Sequence, residues 1–279
     1  VCSSDLEVDP LGLLHWQSDK FEVDDGLFLS RVKRLCDLKQ LYLSNGRVVF
    51  WELNSVVLNC FSNIVVGTYM FENNFMSHYL DVHGFEYKVE KFGNKPSFYK
   101  DLINIEQGKL NIIGEKDYSL SFNDLCMKKH SENHPKDVLR KNLDNFLKNK
   151  CKSKSGERIW TCFKKVTPTI SNQRYTNDWV AYNIKATNDY RYIEHVAYLC
   201  NNFPNTFLVA MVTKRNSREF NGDLWALQEM LQYVWRSRIR GNEDVKSLED
   251  RKINLYIPSK RMRNLLEQWL NDEFEGDLK

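Results

Sequence analysis

The sequence predicts an α/β protein whose helices pack against a sheet, and three observations carry that prediction. Short β-branched and aromatic segments bounded by turn residues recur along the chain, and segments of helical period stand between them. The 279 residues are 42% apolar and 28% charged, enough for one large core or two smaller ones. No internal repeat or low-complexity tract breaks the alternation.

Taken in order, Val1-Cys2-Ser3-Ser4-Asp5-Leu6 equals the in-frame translation of the sequencing-adapter tail GTGTGCTCTTCCGATCT. Residues 1–6 are therefore set aside as an artefact of cloning or assembly. Residues 7–39 are acidic and irregular, punctuated by Pro10, Gly12 and Gly26, with a short helix expected over 28–38. Gly46 precedes a strand at 47–51. Ile64-Val65-Val66-Gly67-Thr68-Tyr69 reads as a second, buried strand. Residues 71–83 carry apolar positions at helical spacing and end before Gly84, and 85–89 alternate as a strand. A short strand is expected at 110–113 and a helix within 120–129. Pro135 opens a helix with the stripe Val138, Leu139, Leu143, Phe146 and Leu147. Strands are expected at 158–164 and 179–184, a helix over 190–201, a longer helix over 224–240 closed by Gly241, and a strand at 253–257. Ser259 then caps a final helix with Leu265, Leu266, Trp269 and Leu270 facing inward.

Lys and Arg number 40 against 37 Asp and Glu, a net charge of +3, which by itself argues neither for nor against nucleic acid. No apolar run approaches the roughly 18 residues of a membrane span. Seven scattered cysteines without CxxC exclude a disulfide scaffold and a zinc ribbon. His130 and His134 stand at i, i+4 but lack the Glu of a metalloprotease helix and are followed by Pro135, so no metal site is read there. Asp272-Glu273-Phe274-Glu275 follows no buried strand, and Gly108-Lys109 lacks the rest of a phosphate-binding loop.

Three segments could carry chemistry. On the 224–240 helix, Gln228, Gln232, Arg236 and Arg240 recur at i, i+4 opposite the apolar face, with Arg238 nearby. Arginines at the end of a packed helix can reach a phosphate across a cleft; the alternative is a solvated face that complements the helix dipole. In Ser259-Lys260-Arg261-Met262-Arg263, three cations occupy a first helical turn, the unfavourable end for positive charge. They call for an anion, either a bound phosphate or neighbouring acids. Residues 136–174 hold 11 Lys/Arg against 3 Asp/Glu, a local charge of 11 − 3 = +8. Lys152 and Lys154 lie in its loop, and Phe146, Trp160 and Phe163 are interleaved. Such a stretch suits a nucleic-acid backbone, or is a basic face over core aromatics.

In their order, Phe50-Trp51-Glu52-Leu53, Thr68-Tyr69-Met70-Phe71, Ile159 to Lys164, Asn183 to Tyr190, Ala226 to Arg240 and Tyr256 to Arg263 resemble the C-terminal part of superfamily 2 (DEAD/DEAH-box-like) helicases of phages and plasmids. The resemblance implies two RecA-like (P-loop NTPase-like) domains facing each other across an ATP site. Residues 7–78 would end the first, and 79–279 would form the second with an insertion around 93–150. Gln232 to Arg240 looks like motif VI, with Trp235 in place of its usual Gly and the last Arg one residue late. That implies γ-phosphate contacts from Arg236 and Arg240, with Gln232 beside them. Asn183, Thr187 and Asn188 would form a motif V-like turn, Asn183 toward the ATP cleft and the other two toward nucleic acid. Lys152, Lys154, Lys260, Arg261 and Arg263 would add nucleic-acid contacts. The implied cofactors are ATP and Mg2+, held mainly by an upstream domain, so this chain alone should not hydrolyse ATP. DNA or RNA and replication proteins are the implied partners, with no membrane, in the cytoplasm of a bacterial host. The competing reading is a non-enzymatic, basic nucleic-acid-binding module.

Overall fold

The computed structural model describes residues 6–17, 28–128, 134–171, 173–184, 187–216, 218–241 and 247–274. The chain forms two compact units, 1–89 with 204–221 and 90–203 with 222–279.

The first unit is built on hairpins. β1 (Leu6–Val8) pairs antiparallel with β2 (Leu14–Trp16). β3 (Leu41–Ser44) pairs with β4 (Val48–Trp51) around Asn45 and Gly46, both left-handed at φ 50° and 64°. That conformation selects Asn-Gly in the three-residue connection 45–47. Helices α1 (Phe28–Asp37) and α2 (Phe75–Val82) belong here, as does α5 (Thr206–Arg215), which Asn205 caps by accepting the N–H groups of Phe207 and Leu208. Leu14, Cys36 and Leu41 form one core, and Tyr42, Met211 and Val212 another. Arg215 grips both carboxylate oxygens of Glu52 and lies 3.9 Å over the Tyr42 ring.

The second unit is a parallel sheet covered on both faces. β5 (Ile103–Ile105), β6 (Arg158–Thr161), β7 (His195–Tyr198) and β8 (Ile253–Tyr256) lie in the order β5-β8-β7-β6, all parallel. One face meets α3 (Pro135–Asp144) and its π-helical extension Asn145–Lys150, where Phe146 packs on Tyr256. α4 (Thr167–Ser171) packs against α3. The other face meets α6 (Gly222–Val234), where Tyr233 contacts Tyr198. α7 (Lys260–Leu270) joins α6 on that side through Trp269 and Trp235, 5.3 Å between rings.

Several expectations are corrected. Residues 64–69 form no strand and are largely exposed, Val65 at 87%. A β-branched run becomes a strand only where a neighbouring strand completes its hydrogen bonds. Residues 85–89 are likewise irregular. Residues 190–201 contain β7, not a helix: a central strand buried on both faces is a continuous apolar run without period. Of 179–184, Trp179 alone bridges to Trp160. Residues 110–113 fall in a 3-10 turn, and Asn123–Met127 is one π-turn. The long helix ends at Val234, where Ser237 bonds back to the Val234 carbonyl. The domain division also differs. Residues 93–150 are no insertion, because they supply β5 and α3, and the first unit holds antiparallel hairpins, not the end of a parallel sheet.

Candidate functional site

Ligands of open parallel sheets sit beyond the carboxyl ends of adjacent strands whose connections leave to opposite faces. One such pair here is β5, which leads to α3, and β8, which leads to α7. The chain itself fills that crevice. The turn Lys109–Gly114 enters it, with the Leu110 carbonyl accepting from the Tyr256 hydroxyl (2.8 Å) and from Asn142 Nδ2 (3.0 Å). Gly114 lies so close to the β8–α7 junction that a Cβ would stand 2.0 Å from the Pro258 oxygen. The cations of the first α7 turn are met by acids, the second of the two alternatives that the sequence left open. Arg263 donates to the carbonyls of Ile257 and Pro258 and to Glu115, each at 2.9 Å. Lys260 stands 3.9 Å from the same carboxylate. Arg261 pairs with Asp223 at 2.6 Å, donates to Asn201 and the Asn202 carbonyl, and lies 4.2 Å over Phe203. Glu115 and Asp223 thus supply the negative charge that the turn requires. Main chain of the 109–114 turn, not a ligand, occupies this crevice.

The motif VI-like arginines lie past α6, at the amino-terminal end of the sheet. Arg236 donates to the carbonyls of Ile184 and Thr187, and burial together with the nearby Arg240 charge lowers its pKa. Arg240 is exposed and donates to Asn188 Oδ1 at 3.1 Å. Thr187 Oγ1 closes a turn with Asp189, while Asn183 is exposed and Gln232 half-buried. The structure therefore brings Arg236 and Arg240 onto the turn that holds Thr187 and Asn188, where they fasten it. Arg238 bonds the Glu194 carboxylate at 2.9 Å and the Lys252 carbonyl at 2.6 Å.

In the basic stretch, Arg158 is bound to Asp178, Arg174 to Asp144, and Lys150 to Glu106. Lys141, Lys148, Lys152, Lys154, Lys164 and Lys165 are exposed and join no ion pair among the described residues. The acids of this stretch have other partners, although Asp144 also feels the Lys148 charge. Asp144 accepts from Arg174 and from the Tyr175 hydroxyl, and Glu157 accepts the Lys154 N–H. The expected aromatic partners Phe146, Trp160 and Phe163 are core residues, at most 7% exposed. His134 caps α3 through Lys136 N–H, and His130 lies outside the described residues. Among the described residues no group of three or more His, Cys, Asp or Glu is placed to hold a metal ion.

Sequence reasoning missed a polar cavity of about 400 Å³ on the α3 face of the sheet. Asn104, Asn254 and His195 stand opposite one another on β5, β8 and β7 and line it with Glu106, Glu157, Glu194 and Lys150. Their only signal was a polar residue inside each of the apolar runs Ile103-Asn104-Ile105 and Ile253-Asn254-Leu255.

Comparison with known proteins places these features in a family. No solved structure matches the chain. No helix among the described residues is long and apolar enough to cross a membrane. The chain is 33% identical over 259 residues, 87% of its length, to the SPbeta prophage-derived uncharacterized protein YonV of Bacillus subtilis (strain 168), and it spans 60% of that relative. The family model of the YonV C-terminal Rossmann-like domain matches residues 97–270, more than half of the chain and the part that contains the whole parallel sheet. The chain belongs to the family of the YonV C-terminal Rossmann-like domain.

Proposed function

We propose that this chain is a nucleic-acid-binding module of a prophage-type protein, gripping the phosphate backbone without reading sequence. The exposed lysines Lys141, Lys148, Lys152 and Lys154, none in an ion pair among the described residues, carry the reading. Exposed lysines outside close ion pairs lose little on meeting phosphates and release counterions when they do. Lys164 and Lys165 extend the positive surface beyond β6. The finer reading, a RecA-like helicase domain driven by ATP and Mg2+ and working with replication proteins in the host cytoplasm, rests on the sequence resemblance. Arg236, Arg240, Arg261 and Arg263 lend it no support, since each is engaged by its own chain.

The test is titration of a labelled DNA or RNA strand, and of a DNA duplex, across a salt series. The expected result is micromolar-range binding at low salt that weakens steeply as salt rises. Lys148→Glu/Lys152→Glu/Lys154→Glu should lower the slope of log affinity against log salt by about 2 to 3. Salt-insensitive binding, or a triple variant that binds like wild type, would sink the reading.

A further inference from the structure

The polar cavity lies on the sheet and borders the lysine stretch through Lys150, Cys151 and Glu157, but its inference does not depend on the nucleic-acid reading. Three uncharged polar side chains share one face of the sheet, His195 buried, Asn254 half-buried and Asn104 exposed at the mouth. They are ordered as a relay: Asn104 Nδ2 donates to Asn254 Oδ1 at 2.8 Å, and Asn254 Nδ2 donates to His195 Nδ1 at 3.2 Å. This sequence of donors assigns the proton of the neutral imidazole to Nε2. His195 is only 5% exposed, and burial pulls its pKa below the ordinary value, so the ring is neutral at pH 7.

The Nε2–H has an acceptor near it but out of reach. Glu194 Oε1 stands 4.0 Å away, while the other Glu194 oxygen is held by Arg238 at 2.9 Å. Side by side in the cavity are therefore one donor and one acceptor too far apart to satisfy each other. One water could bridge them, but 400 Å³ is room for far more than one water at about 30 Å³ each, and it falls within the usual range of ligand pockets. The charge selects further. Glu106 is paired with Lys150 and Glu194 with Arg238, leaving the Glu157 carboxylate bonded to a main-chain N–H. Such a lining is unfavourable to phosphate or carboxylate groups. Phe146 and the Cys151 thiol, which burial holds protonated by raising its pKa to about 12, contribute less polar wall.

We infer that this cavity binds a small uncharged heterocycle with a cyclic-amide edge, as in a nucleobase: its C=O accepts from His195 Nε2–H and its adjacent N–H donates to Glu194 Oε1. A neighbouring donor and acceptor on one ring edge is the group that closes a gap of this kind with two bonds. The base could arrive as a free nucleoside or as an unstacked residue of a strand.

Uridine and 3-methyluridine separate this idea from simple filling of a hole, because the methyl group removes the only ring N–H and keeps the rest. The experiment follows the ¹⁵N-labelled His195 resonances of the full chain, with calorimetry in parallel, while adding uridine, 3-methyluridine or a short oligouridylate. The expected result is a shift of the His195 Nε2 signal and saturable binding by uridine or the oligouridylate, with at least tenfold weaker binding of the methylated nucleoside. A His195 Nε2 shift with the oligouridylate alone would identify the strand as the source, whereas calorimetric binding of it without that shift belongs to the lysines and overturns the inference. His195→Gln, which keeps a donor, should retain more affinity than His195→Phe. The wild-type spectrum stands on its own if the Phe variant does not fold. Equal binding of both nucleosides, or no response to either uridine form at concentrations above about 1 mM, overturns the inference. Its failure would leave the salt-dependent lysine binding untouched.

Discussion

Arg263 is 7% exposed, and three of its hydrogen bonds hold the β8–α7 junction together. A guanidinium suits the place because its planar fork serves two carbonyls and a carboxylate at once. Truncation orphans the Ile257 and Pro258 carbonyls, and each unsatisfied buried acceptor costs about 1–3 kcal/mol. Glu115 is 45% exposed and rehydrates, so it adds little. Arg263→Ala should therefore destabilise the second unit by roughly 2–4 kcal/mol in denaturant titration while leaving nucleic-acid affinity at its wild-type value. A phosphate-contacting arginine would give the opposite pattern, with weakened binding in a stable protein.

At the scale of the element, the turn Lys109–Gly114 occupies the β5/β8 crevice of the sheet. A Rossmann-like crevice is open to ligands only if nothing else lies between the two diverging connections. Here Gly114 permits a backbone-to-backbone approach that no other residue allows, because its missing Cβ would meet the Pro258 oxygen at 2.0 Å, the Pro258 carbon at 2.5 Å and the Ser259 nitrogen at 2.8 Å. The obstacle is main chain, which cannot swing aside as a side-chain tip can. Gly114→Ala should push the turn out of the crevice at a cost of about 1–3 kcal/mol, the usual range for overpacking. Hydrogen exchange should report it as faster amides in 109–116 and at the start of α7, with the far end of the sheet unchanged. If exchange there stays at wild-type rates, the turn is not packed as described.

For the whole molecule, a buried histidine makes the stability of the first unit depend on acid. His78 is fully buried in the first unit, with Nδ1 facing Asn216, and burial plus the Arg218 charge hold its pKa down to about 4. Its folded value lies below the unfolded value of 6.5, so the unfolded chain takes up protons first as pH falls. The stabilisation is fully present above pH 6.5, declines between 6.5 and 4, and stays lost below. The full span corresponds to at most about 3 kcal/mol. Hydrogen exchange at pH 7 and pH 4.5, corrected for intrinsic rates, should show α2 and α5 of the first unit losing protection. His78→Phe should flatten that difference, and an unchanged dependence would remove His78 as its source.

The sequence by itself determined the layered α/β class, the hairpin strand at Val48–Trp51, α3 behind Pro135, and α7 behind its Ser259 cap. Each is written in local chemistry: a turn pair, a fixed proline φ, a hydroxyl that accepts the N–H of Met262. It also identified the excess of lysine over acid in 136–174. Tertiary structure decided which polar groups meet. Whether the α7 cations face a phosphate or Glu115 and Asp223, and whether Arg236 reaches across a cleft or onto the Ile184 carbonyl, depends on partners 38 to 148 residues away. The strand β7 and the relay of Asn104, Asn254 and His195 were hidden for the same reason. A central parallel strand has no periodic signature, and its register exists only once three distant segments lie side by side.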